Sequence, residues 1–234
     1  MSRPCRRLSG NSADPDFYEP HEPNLDEAGL ARDRFVDLSD NSRSKNGMTR
    51  TALIQGLSAI AANYDAILCD VWGVIHDGRK GFQPAVKALR EFRSSRGPVV
   101  LITNAPVPKE RVTRLFPGLG VPEDCFDDVV SSGDATRNEL KRVAPGPVYR
   151  IEHKEDRGLY EGLPLQFSDD PAVAKVISCT SLREYPHGTP EPYREELTRL
   201  AGRGLPMICA NPDVQFRHGD RLVWSAGSLA RIYE

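Results

Sequence analysis

Ala66-Ile67-Leu68-Cys69-Asp70-Val71-Trp72-Gly73-Val74 and, about thirty residues on, Pro98-Val99-Val100-Leu101-Ile102-Thr103-Asn104 decide the fold. Each is a short apolar run that ends in polar side chains. Apolar runs of this length bounded by turn formers read as buried strands. The intervening stretch carries Ala85, Ala88, Leu89 and Phe92 at helical spacing, opened by Pro84 and closed near Gly97; a proline belongs in the first turn of a helix. Strand, helix, strand is the unit of a parallel sheet, so Asp70 and Thr103-Asn104 meet at one sheet edge. In open α/β sheets that edge lines the ligand crevice.

Outward from this unit the pattern repeats. A second helix is expected over 108–116 on Val112, Leu115 and Phe116, then a strand over 128–131 and a helix over 134–143. The series predicts a doubly wound α/β core. Pro145-Gly146-Pro147 punctuates the chain, and strand or helix candidates resume over 148–151, 173–179, 193–201 and 206–210. They are expected to form a second, smaller α/β lobe. Upstream, 51–62 places Leu53, Ile54, Leu57 and Ile60 at helical spacing, predicting a short amphipathic helix. Residues 1–47 mix Pro, Ser, Asn, Asp, Glu and Arg with few periodic apolar positions. Such composition does not offset its ordering entropy by burial, so disorder is expected there, and Met48 is a candidate start.

Composition excludes several classes. The formal charge is −2 and the cations are scattered, so the electrostatic footprint of a nucleic-acid binder is missing, and a small neutral or anionic ligand fits better. No run approaches a membrane span, and Arg6-Arg7 lacks the apolar segment of a secretory signal. The five cysteines are odd in number and far apart, which suits reduced thiols and a cytoplasmic setting. The five histidines show no metal-ligand spacing.

A carboxylate at a strand tip can attack a phosphoryl group when both charges are neutralised, and a hydroxyl with neighbouring backbone N–H groups supplies donors. Spacing alone leaves open the reading of Asp70 as a turn or cap residue. Cys69-Asp70-Val71-Trp72-Gly73-Val74, Leu101-Ile102-Thr103-Asn104, Ser131-Ser132-Gly133-Asp134-Ala135-Thr136, Ala210-Asn211-Pro212-Asp213 and Ala226-Gly227-Ser228-Leu229 together resemble the haloacid dehalogenase-like hydrolases of class IIA. This branch contains the 4-nitrophenylphosphatase and NagD-like sugar and nucleotide phosphatases. The resemblance spans roughly residues 60–234. It implies a Rossmann-like core with an inserted cap, Mg²⁺ dependence and an aspartyl-phosphate intermediate. By the same match Asp70 is the nucleophile and a metal ligand, Thr103 and Asn104 bind phosphate, and Trp72 lends its backbone carbonyl to Mg²⁺. Asn211 and Asp213 fall where the cap returns toward the core and are candidate substrate contacts.

Two departures stand out. The family carries a second Asp two residues beyond the nucleophile as general acid and base, and this chain has Trp72 there. His76 and Asp77 are candidate stand-ins, and Trp72 reads either as packing or as a lid. The family's later motifs, a phosphate-binding Lys in a Gly-Lys-Pro turn and an acidic metal ligand, normally follow Ala226-Gly227-Ser228-Leu229, so a truncated chain is expected. The expected division is a disordered extension over 1–47, core over 48–143, cap over 144–213, and a return to an incomplete core over 214–234. Glu191 to Glu196 with Arg194 and Arg199 reads as a solvated helix face. The expected partners are a small phosphorylated metabolite and a second copy of the chain through the cap. Two functions follow: a Mg²⁺-dependent phosphatase, or an inactive relative that binds a phosphate ligand or another protein. A phospho-accepting receiver is excluded, because it needs an acidic pair after its first strand.

Overall fold

The computed structural model describes residues 53–219 and 221–234. The expected disorder over 1–47, Met48 and the start of the 51–62 helix lie outside the described residues.

Among the described residues two parallel three-stranded sheets and a hairpin organise the fold. In the first sheet β1 (Ile67–Asp70) pairs with β2 (Val99–Thr103), and β2 pairs with β3 (Asp128–Ser131). The helices α1 (Gln83–Ser95) and α2 (Lys109–Leu119) supply the crossovers. Val86, Leu89 and Phe92 of α1 and Val112 and Phe116 of α2 pack on Val99, Leu101 and Val129, covering one face. The other face carries Leu68, Ile102 and Val130, exposed by 71%, 39% and 50%. Pro84 sits in the first turn of α1, where its missing N–H costs nothing.

Helix α3 (Ser132–Val143) starts at the tip of β3, with the Ser131 side chain accepting from the Asp134 N–H as N-cap. Its far end leaves the first lobe. Leu140 is buried with Val148 and Val176 of the second sheet and Leu159 of the 3₁₀ turn Lys154–Tyr160, across the boundary expected at 143/144. That sheet runs β4 (Val148–Ile151), β5 (Val176–Cys179), β6 (Met207–Cys209), all parallel. Its other face takes α4 (Arg194–Ala201) and α5 (Ala226–Tyr233) through Leu197, Leu200, Ala226 and Leu229.

Three expectations are corrected. In place of a helix over 51–62, the described part makes short 3₁₀ turns at Leu57–Ala59 and Ala61–Asn63 with no buried residue; Gly56 is fully extended, which breaks the helical run. The 214–234 segment does not return to the core as a unit. Its first half is an antiparallel hairpin, β7 (Gln215–His218) with β8 (Arg221–Trp224), that touches the first lobe. Its second half, α5, packs on the second sheet, because Ala226, Leu229, Ile232 and Tyr233 form an apolar face matching Ile177 and Cys179. The third concerns Glu191 to Glu196, which is not uniformly solvated. The Glu196 side chain is 19% exposed and is gripped by both guanidinium nitrogens of Arg183, at 2.7 and 2.9 Å, and by the Tyr149 hydroxyl at 2.6 Å. Burial and this carboxylate push the Tyr149 phenol up to about 12.

Candidate active site

The parallel register places Asp70 opposite Ile102 and Thr103 opposite Ser131, so the tips of β1, β2 and β3 lie side by side at one edge. Adjacent strands run about 4.8 Å apart. The period-two alternation sends Asp70 out with the exposed set, whereas Thr103 is buried. One Asp70 carboxylate oxygen, Oδ1, accepts the Val71 N–H at 2.8 Å. The hydroxyl oxygen of Thr103 accepts the Ala105 N–H at 3.2 Å, which leaves its own proton available as a donor. Next to Asp70, burial and then the Asp70 charge push the Cys69 thiol up to about 11, so it is no competing nucleophile.

The loop after β2 is held against α3 by a close approach. Gly133 donates its N–H to the Ala105 carbonyl at 3.1 Å, and a Cβ there would lie 2.2 Å from the Val107 carbonyl oxygen. Only glycine permits that contact. The loop also receives the second lobe. The Asn104 side-chain amide donates to both Asp213 carboxylate oxygens at 3.2 Å, while Asn211 is buried and accepts the Asp213 N–H through Oδ1 at 3.0 Å. Gly227 packs on this turn, since a Cβ there would meet the Pro212 carbonyl at 2.1 Å. Asn104, Asn211 and Asp213 are thus brought together, at the lobe junction.

Trp72 is anchored as packing. Its indole Nε1–H donates to the Arg217 carbonyl at 3.0 Å, and its ring meets His76, Phe216 and His218 edge-on at 5.5, 6.2 and 6.1 Å. The β7–β8 hairpin is thereby strapped beside the Asp70 tip. His76 is buried, its Nδ1 accepts the Gly78 N–H at 3.0 Å, and burial lowers its pKa. Asp77 caps a turn by accepting the Arg79 and Lys80 N–H groups at 2.9 Å. Both side chains are thereby tied into the turn over 76–80. Among the described residues no three His, Cys, Asp or Glu side chains converge as a metal site. The donors at the β1 tip, the Asp70 carboxylate and the Trp72 carbonyl, are all oxygen. That chemistry suits a hard cation that keeps several waters and shares a phosphate.

One feature escaped the sequence reading. The hairpin carries its own signature in the sequence, a Gly-Asp pair at 219–220 of the kind that joins antiparallel strands.

A family model described as haloacid dehalogenase-like hydrolase matches residues 67–164. A hydrolase of the haloacid dehalogenase-like family from Brucella suis 1330 is 41% identical; the match covers 78% of this chain and 69% of that one, with a TM-score of 0.71. The p-nitrophenyl phosphatase of Archaeoglobus fulgidus shares the fold at 16% identity, covering 72% of this chain and 63% of that one (TM-score 0.55). A glycerol phosphate phosphatase of Mycobacterium tuberculosis, in complex with magnesium, shares it at 20% identity, covering 74% and 52% (TM-score 0.52). This chain therefore spans less than two thirds of the length of both phosphatases. No curated protein matches the sequence.

Proposed function

Because the chain belongs to the haloacid dehalogenase-like hydrolases, we propose that it is built for Mg²⁺-dependent hydrolysis of a small phosphomonoester through Asp70. The observation that carries this reading is the shared edge of β1 and β2, which sets an exposed carboxylate beside the Thr103-Asn104 loop. Asp70 attacks phosphorus, the bond to the ester oxygen breaks, and an aspartyl phosphate forms. Water then attacks the phosphorus of that intermediate and restores the carboxylate. The Thr103 hydroxyl donates to a phosphoryl oxygen. Asp70 and the Trp72 carbonyl would hold Mg²⁺, which when bound neutralises charge between carboxylate and phosphate.

Proton delivery differs from the family pattern. The indole at position 72 is no acid and its N–H is committed to the Arg217 carbonyl, so the departing oxygen takes its proton from water. A positioned acid contributes about 10²–10⁴ in rate. Turnover therefore falls steeply as the leaving alcohol becomes less acidic, and aryl phosphates outpace alkyl phosphates. A cytoplasmic setting belongs to the same proposal, supported by four free cysteines among the described residues; among them no helix is long and apolar enough to cross a membrane. The test is phosphate release from 4-nitrophenyl phosphate. Release requires Mg²⁺ and is lost in Asp70→Asn; metal-independent turnover contradicts the proposal. The uncovered face of Leu68, Ile102 and Val130 favours a second reading, a protein that binds a phosphate ligand or a partner without turnover. Mg²⁺-dependent turnover by the purified 234-residue chain eliminates it.

A further inference from the structure

One polar contact between the two lobes falls on a residue of the phosphate loop. The Asn104 side-chain amide donates to both carboxylate oxygens of Asp213 at 3.2 Å. Each partner is held in place by its own lobe. On the second, Asp213 closes a built turn: buried Asn211 accepts the Asp213 N–H through Oδ1 at 3.0 Å, and the Asn211 carbonyl accepts from the Cys209 thiol at 3.2 Å. Gly227 of α5 backs that turn so closely that a Cβ there would lie 2.5 Å from the Asp213 carbonyl oxygen. On the first, the loop after β2 is braced on α3 by the Gly133 N–H, which the Ala105 carbonyl accepts at 3.1 Å. Two braced turns thus aim an amide and a carboxylate at each other.

Asn104 also stands within reach of a phosphoryl group on Asp70. Ile102 and Asn104 are exposed with Thr103 buried between them, and Ile102 is the register partner of Asp70. With strands about 4.8 Å apart and a rise of about 3.3 Å per residue, the Asp70 and Asn104 backbones lie about 8 Å apart, a gap that two side chains and one phosphoryl group fill. The amide nitrogen is the only donor of the Asn104 side chain, and an anion already occupies it. A carboxylate accepts from N–H much as a phosphoryl group does. Two such anions on one amide repel each other, so they occupy it in turn.

We infer that Asp213 is an internal competitor of the phosphoryl group for Asn104: its carboxylate holds the amide and latches the two lobes until a phosphoryl group takes its place. The inference rests on the phosphatase reading for the position of that group, and it gives Asp213 a role opposed to ligand binding rather than one in substrate contact. The latch weakens binding of phosphate, the product, and couples occupancy of the site to the joint between the lobes. When it opens, the Trp72 bond to the Arg217 carbonyl and the Arg111 bond to the Glu155 carbonyl still join the lobes.

The probe is inorganic phosphate, titrated into the full chain with Mg²⁺ and read by calorimetry. Asp213→Asn keeps the size of the side chain and removes its charge, and Asp213→Ala removes both. Each is expected to bind phosphate about three- to tenfold more tightly than the parent, one exposed hydrogen bond's equivalent. In an Asn104→Ala background the same substitutions bring no gain beyond about twofold, because the amide for which the two anions compete is gone. Should the Asp213→Ala variant not fold, the Asn variant decides. Unchanged or weaker phosphate binding in the Asp213 variants overturns the inference, and so does a gain of equal size in the Asn104→Ala background, which marks long-range charge alone. Absence of phosphate binding in parent and variants alike overturns it as well. Phosphate affinity needs no turnover, so release from 4-nitrophenyl phosphate by the parent separately reports whether the phosphatase reading stands.

Discussion

Replacing Gly133 with alanine tests how the Asn104 loop is held. The new Cβ would sit 2.2, 2.3 and 2.5 Å from the oxygen, carbon and nitrogen of Val107, all backbone atoms, where contacts under 3.0 Å essentially never occur. No rotamer relieves a backbone clash, so either α3 or the 105–108 loop moves by about 1 Å, with the Gly133 N–H bond to Ala105 lost or stretched. Overpacking of this kind costs about 1–3 kcal/mol. Against it stands the helix preference of alanine over glycine, at most about 1 kcal/mol and less in a first turn. The clash wins, and Gly133→Ala is expected to lose about 1–2 kcal/mol by urea denaturation at unchanged m-value. A displacement near 1 Å at a positioning loop costs about 10²-fold in turnover. Refutation is a variant as stable as the parent with undiminished phosphate release, since the loop would then not be braced by α3.

Trp72→Phe keeps the ring contacts but removes the Nε1–H donated to the Arg217 carbonyl; a loss of about 1 kcal/mol is expected, seen as faster amide exchange in β7 and β8 with β4–β6 unchanged. Glu196→Gln strips the charge that both Arg183 nitrogens and Tyr149 share and is expected to destabilise by about 2–3 kcal/mol, whereas a fully solvated Glu196 would show no change. Burial lowers the pKa of both His76 and His218, with Arg79 adding to the latter. The unfolded chain titrates near 6.5, so below that pH it binds more protons than the native state. Stability is therefore full above about pH 7 and declines as pH falls through 6.5 toward the lower native values. Urea midpoints across that range check it, and a His76→Gln, His218→Gln double variant flattens the decline.

The core was legible because its signals are local. The run Ile67 to Asp70, the proline-started helix and the run to Thr103 each carry their own pattern, and parallel strands joined by a helix have one usual hand. The common edge of Asp70 and Thr103 follows from that topology. What the sequence hid depends on contacts distant along the chain. The apolar face of α5 is readable, yet its choice of the second sheet over the first is made by the matching surface of Ile177, Cys179 and Leu197. Glu196 looks like any surface glutamate until Arg183 and Tyr149 close on it. The 51–62 stretch has helical spacing, but an extended Gly56 and the want of a partner surface outweigh it. Trp72 stands open to both readings until the Arg217 carbonyl accepts its N–H.

The most direct measurement is chemical trapping of the covalent intermediate. The chain is quenched during turnover of 4-nitrophenyl phosphate with Mg²⁺, reduced with borohydride, and mapped by mass spectrometry. An acyl phosphate on Asp70 is converted to homoserine at position 70, and that product disappears when substrate is withheld. Turnover that proceeds with Asp70 unmodified, or homoserine at another aspartate, contradicts the account.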